Sequence, residues 1–176
     1  MPSQFFKADY FSDVDIQKIK DMLDQNAVNI FVGFPSGRQH IETRHKNEHD
    51  QVVDYNGDDS PIEPMETADL AEQLHYGTAT IPARPFLDEA VEKNKVKIEK
   101  AIKAEIEKSE NGQKPNWNKI GAMVVGMVQE FVRSDYYKES VPNSQKTIDY
   151  KGSDKPLIDG GDLINSLTFQ VMGGTK

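Results

Sequence analysis

The residues whose types and spacing match a catalytic pattern are His45, Glu48 and His49, in the run His45-Lys46-Asn47-Glu48-His49. The run has the H-x-x-E-H form of one zinc metallopeptidase class. That chemistry needs a helix, on which two histidines four apart share a face towards the metal, and an apolar opposite face to anchor it. The flanks, Gln39-His40-Ile41-Glu42-Thr43-Arg44 and Asp50-Gln51, supply no apolar stripe. The segment therefore reads as a solvated, charged loop. A small metal-dependent hydrolase built on His45, Glu48 and His49 stands as the alternative.

The rest of the chain offers less. It has no cysteine, which removes disulfides, thiolate zinc sites and cysteine nucleophiles. It also lacks a P-loop, a G-x-G-x-x-G and a G-x-S-x-G motif. His75 closes a short predicted helix beside Tyr76-Gly77, where stacking on a neighbour or meeting the last carbonyls accounts for it without catalysis. Gly160-Gly161 before Asp162 can form an anion-binding turn at a helix start, but a structural turn is the simpler reading. Carboxylates abound, yet none is paired in the apolar surroundings that raise a pKa for acid–base work. No catalytic, cofactor-binding or metal-binding residue is assigned, and no cofactor is expected.

The elements that must position any site follow from composition and pattern. A length of 176 residues suits one domain over 1–176, carrying a polar insertion at about 36–66. Twenty-nine acidic against 21 basic residues give a net charge of -8. That balance opposes wrapping DNA by neutralising phosphates; it leaves open an acidic wall along which DNA slides without sticking. The opening MPSQFFKADYFSDVD has no basic start followed by an apolar run, so no signal peptide is read. No stretch nears the roughly 20 apolar residues that span a bilayer, and a soluble product made in the cytoplasm is expected.

Ser12 is placed to cap a helix with Ile16, Ile19, Met22 and Leu23 on one face, ending near Asn26. Val28 to Phe34, rich in β-branched and aromatic residues and stopped by Pro35, predicts an inner strand. Residues 38–66 hold eight Asp or Glu, three Lys or Arg and three His. This excursion is longer than the ~12–15 residues of an ordinary loop, with one hairpin arm predicted at Val52-Val53-Asp54-Tyr55. Thr67 is expected to cap a helix over 68–76 that Gly77 ends. Residues 81–85 must be extended, because each residue before a proline is pushed out of the helical region. Pro85 suits the first position of a long helix reaching about Lys108, with Leu87, Val91, Ile98, Ile102 and Ile106 as its apolar stripe. Asn116 caps a second long helix with a broad apolar face from Trp117 to Phe131. Residues 136–155 read as loop with a short strand at 147–150, 163–166 as a helical turn, and 167–171 as a half-buried strand. The class is α+β: a small, mostly antiparallel sheet packed by two long helices and shorter N-terminal helices.

Three landmarks then resemble a known family. Leu70-Ala71-Glu72-Gln73-Leu74-His75-Tyr76-Gly77-Thr78 followed by Ile81-Pro82-Ala83-Arg84-Pro85-Phe86-Leu87 resembles the "A-x-x-x-E-[FY]-G-T … I-P-A-R-P-F-L" segment of the tailed-bacteriophage tail-completion (neck, head–tail joining) family. Lys155-Pro156-Leu157-Ile158-Asp159-Gly160-Gly161-Asp162-Leu163-Ile164-Asn165-Ser166-Leu167 resembles its "K-P-L-x-D-T-G-x-L-x-x-S-I" signature. Val32-Gly33-Phe34-Pro35 resembles its "V-G-[IFV]-P". The family includes the minor tail protein Z type. This chain departs from it at His75, where an acidic residue is usual, at Gly160, where threonine is usual, and in its longer excursion.

The resemblance implies a virion structural protein without enzymatic activity. It implies a homo-oligomeric ring, typically a hexamer, between connector and tail terminator. Genomic DNA would pass through without sequence-specific binding, and no membrane is involved. A tail-terminator or head-closure ring is the nearest alternative. The residues it marks as interface or structural motif are Ile81, Pro82, Arg84, Pro85 and Phe86 in the first stretch. In the second they are Pro156, Leu157, Gly160, Gly161, Leu163 and Ser166. On physical grounds Pro82 and Pro85 stiffen the chain around Arg84, whose guanidinium can clamp a carboxylate within the subunit or across a boundary. Leu157, Ile158, Leu163 and Leu167 are first of all core residues.

Overall fold

Val28 to Gly33 form a strand as their β-branched content requires, in a computed structural model that describes residues 28–40 and 65–173. In chain order its elements are β1 (Val28–Gly33), β2 (Gln39–His40), β3 (Met65–Glu66), α1 (Thr67–Tyr76), α2 (Phe86–Glu110), α3 (Trp117–Arg133), α4 (Asp135–Ser140), α5 (Gln145–Lys151), α6 (Asp162–Ser166) and β4 (Thr168–Gly173). The fold is α+β, and among the described residues the strands form two two-stranded antiparallel sheets, β1–β4 and β2–β3. The expected N-terminal helix, the hairpin arm at 52–55 and the trio His45, Glu48 and His49 lie outside the described residues. The described parts fall into two compact units, 28–33 with 85–131 and 167–173, and 34–40 with 65–84 and 132–166.

In the first unit, β1 and β4 pair in register from Val28 opposite Gly173 to Gly33 opposite Thr168. Among the described residues β4 is the one strand beside β1. Helix α2 opens one residue later than expected: Pro85 is the cap, and Asp88 and Glu89 sit in the first turn, where the helix dipole favours them. Phe86, Leu87, Ala90 and Ile98 are buried, while Val91, Ile102 and Ile106 of the predicted stripe are half-buried. Asn116 caps α3 as expected, its Oδ1 accepting from the Lys119 N–H at 3.1 Å. Ile120, Val124, Val128 and Phe131 give α3 its buried face.

Glu105 clasps the two long helices. It is only 2% exposed. Its Oε2 accepts from the Asn116 N–H at 2.8 Å and its Oε1 from Lys108 Nζ at 2.7 Å. Those bonds, the Asn116 backbone first, hold its carboxyl below the usual carboxylate range.

In the second unit, β2 and β3 close the neck of the excursion, Gln39 opposite Glu66 and His40 opposite Met65. The Arg38 carbonyl accepts from both the N–H (2.7 Å) and the hydroxyl (2.9 Å) of Thr67. Thr67 is therefore not the cap predicted for α1. It is the first helical residue, its hydroxyl is spent on the neck, and Glu66 takes the cap position without a side-chain bond. Gly77 ends the helix as expected, with φ at 78°.

The largest departure is at 136–155, where the expected loop and strand are two short helices, α4 and α5. Ser134 caps the first, accepting from the Tyr137 N–H, and Ser144 caps the second, accepting from the Thr147 N–H. Gly152 closes α5 in the left-handed conformation. Tyr137 is fully buried. The helical turn expected at 163–166 is α6, and the strand expected at 167–171 is β4.

Candidate functional site

The first motif stretch is a loop folded back on its own helix. Gly77 has no room for a side chain: a Cβ there would lie 2.7 Å from Ala83 N and 2.8 Å from Ile81 O. The Thr78 N–H donates to Ile81 O at 2.8 Å, and its hydroxyl accepts from the N–H groups of Ile81 (3.0 Å) and Thr80 (3.3 Å). The Arg84 N–H returns to the end of α1, donating to Leu74 O at 2.9 Å and His75 O at 3.2 Å. Carbonyls that a helix end leaves open are thereby satisfied. The G-T … I-P-A-R sequence is thus a closed structural unit, with Ile81 half-buried and Pro82 exposed. Pro85 and the fully buried Phe86 then start α2.

His75 is buried and meets the Tyr76 ring edge-to-face at 4.7 Å. The Arg84 side chain is half-buried and reaches Asn143, with Nη2 donating to Oδ1 at 3.4 Å. Among the described residues no carboxylate lies within ion-pair distance of it, and its Nε is buried without an acceptor. Asn143 is 8% exposed, and its Nδ2 is likewise buried without an acceptor. Among the described residues of its own chain Arg84 thus has a neutral partner, Asn143.

The second stretch is anchored from both sides. Lys138 Nζ meets Asp154 Oδ2 at 2.5 Å, which lowers the Asp154 carboxyl and raises the Lys138 ammonium from their ordinary values. Lys151 Nζ donates to Lys155 O at 2.7 Å. Pro156 and Leu157 are buried, and Leu157 holds a φ of 55°, a region that a bulky residue enters only under strain. Gly160 (58°) and Gly161 (90°) continue the turn, and the Gly161 N–H donates to Asp159 O. Leu163, Ile164, Ser166 and Leu167 are buried, and the Ser166 hydroxyl donates to Leu163 O at 2.7 Å. The glycine pair is a structural turn, and α6 is only five residues long.

The fold brings the two stretches together, because α1 packs against α6 within the second unit. Ile81, Pro82, Arg84 and the residues 156–166 therefore belong to one body, while Pro85 and Phe86 belong to the other. Sequence reasoning missed Asn143, the partner of Arg84, and Glu105. Along the outer side of α1 runs an open cleft of about 430 Å³ lined by Met65, Asp69, Glu72, Gln73, Tyr76 and Gly77. Among the described residues no three His, Asp or Glu gather as a metal site, and no helix is long and apolar enough to cross a membrane. Compared with protein-family models, curated proteins and solved structures, the chain matches none.

Proposed function

We propose that this chain is a structural subunit of a ring at the head–tail junction of a tailed bacteriophage, of the tail-completion or neck kind, and that it catalyses nothing. The observation that carries the reading is the meeting of the two motif stretches, about eighty residues apart in sequence, through the α1–α6 contact. Several residues of the two stretches have a structural task there. Gly77 admits Ala83, Thr78 ties the loop, Arg84 closes it on α1, and Gly160 and Gly161 turn the chain into α6. Such a compact, motif-built body serves assembly, and the net charge of -8 suits a conduit that lets DNA pass. Native mass spectrometry of the purified chain tests the reading. A closed ring, with six copies expected, supports it, and a monomer at every concentration, alone or with neighbouring neck proteins, overturns it.

A further inference from the structure

Two exposed helix faces of this chain carry opposite charge at the same spacing. On α1, Asp69, Glu72, Gln73 and Tyr76 stand at i, i+3, i+4 and i+7 and share one face. Tyr76 is 60% exposed, and Met65 beside it 36%. On α2, Lys93, Val96, Lys97 and Lys100 repeat that spacing, and Val96 is 63% exposed. Lys93 is held over the Phe131 ring, 5.5 Å from its centroid. Asp69, Glu72, Lys97 and Lys100 are all exposed, and among the described residues none of the four makes an ion pair.

We infer that these faces meet between neighbouring copies of the chain, and the inference rests on the ring reading above. Val96 of one copy packs on Tyr76 and Met65 of the next, at the cleft beside α1, while Lys97 and Lys100 face Asp69 and Glu72. The occupant is a second copy because both halves of the match are written in one chain. At a net charge of -8 two copies repel at long range, so association needs a local patch of opposite sign. Exposed ion pairs add little affinity each. Their role is to set partner and register, with the tyrosine, methionine and valine supplying apolar burial. A contact between two different patches is heterologous, and repeated around an axis it closes a ring.

Sedimentation velocity on charge-reversed variants tests this. Lys97→Glu with Lys100→Glu sets like charges against Asp69 and Glu72, and Asp69→Lys with Glu72→Lys does the converse. Each pair should weaken self-association by at least about tenfold, because like-charge juxtaposition is costly, while the melting temperature stays near wild type. Combining all four substitutions should restore assembly. If a reversed pair lowers melting, the neutral pair Lys97→Gln with Lys100→Gln gives the same readout, with a smaller loss expected. Wild-type assembly that every variant retains overturns this interface and leaves the ring reading standing. Impaired pairs that the fourfold variant fails to restore also overturn it. A wild-type chain that never associates removes both.

Discussion

Gly121 and Gly126 lie five residues apart on α3, and the structure assigns them opposite responses to a single methyl group. At Gly121 a Cβ would run into the Phe169 ring of β4, 2.6 Å from Cγ and closer still to Cδ2. Cγ is the root of the ring, so relief requires the whole side chain or the β1–β4 ribbon to move. Forcing a methyl into such a contact costs about 1–3 kcal/mol, and a clash at the ring root belongs at the upper end, about 3. Alanine regains about 1 kcal/mol of helix propensity over glycine. The difference, about 3 less about 1, leaves Gly121→Ala less stable by about 2 kcal/mol, or ~4–8 °C in melting temperature for a chain of this size. Gly126 is exposed, with nothing within 4 Å of its Cβ. Gly126→Ala should therefore keep the propensity gain and melt ~2–4 °C higher. Thermal melts followed by circular dichroism read both. A double-mutant cycle with Phe169→Ala isolates the clash, since Gly121→Ala should become neutral or stabilising once the ring is gone. A Gly121→Ala variant as stable as wild type would refute the close approach of Gly121 to the Phe169 ring.

Three further outcomes follow from the same structure. Arg84 has a neutral acceptor at 3.4 Å, so Arg84→Ala should cost about 1 kcal/mol in denaturant unfolding; a loss near ~4 kcal/mol would reveal a buried carboxylate partner instead. Glu105 has a depressed carboxyl pKa because the Asn116 N–H, and then Lys108, bind its charged form. A depressed folded pKa gives stability present above the unfolded value and lost as pH falls through the folded one. The melting gap between wild type and Glu105→Gln should therefore close as the solution is acidified below the ordinary carboxylate range, and a gap constant between about pH 7 and about pH 2 counts against the clasp. Gly160 sits at φ 58° with open space around its Cβ, so Gly160→Thr meets backbone strain alone and should cost about 1–2 kcal/mol; equal melting would exclude the left-handed turn.

Much of this architecture is legible in the residues. β1 announces itself by Val28, Ile30 and Val32 before Pro35, α2 by Pro85 with Asp88 and Glu89, and α3 by Asn116 and its broad apolar face. The helices α4 and α5 had signals too, since Ser134 and Ser144 are capping residues and Gly152 a terminator. Helices of six and seven residues are too short to show a stripe, and Thr147 and Ile148, both β-branched, pointed to a strand. Thr67 looked like a cap because its hydroxyl stands at the right place, and only the β2–β3 neck shows that Arg38 takes it. Glu105 carried no signal, because its partner Asn116 lies eleven residues on and only the α2–α3 turn brings the two together. For the candidate site, Gly77, the prolines and the glycine turn were readable from local chemistry. The pairing of Arg84 with Asn143 spans fifty-nine residues and depends on tertiary packing.

The central proposal, a ring that joins tail to head, is tested most directly by electron microscopy of lysates from phage that lack this chain. DNA-filled heads and separate tails that do not join are expected, with infectious particles restored when the purified chain is added back. Joined, infectious particles formed in its absence would contradict it.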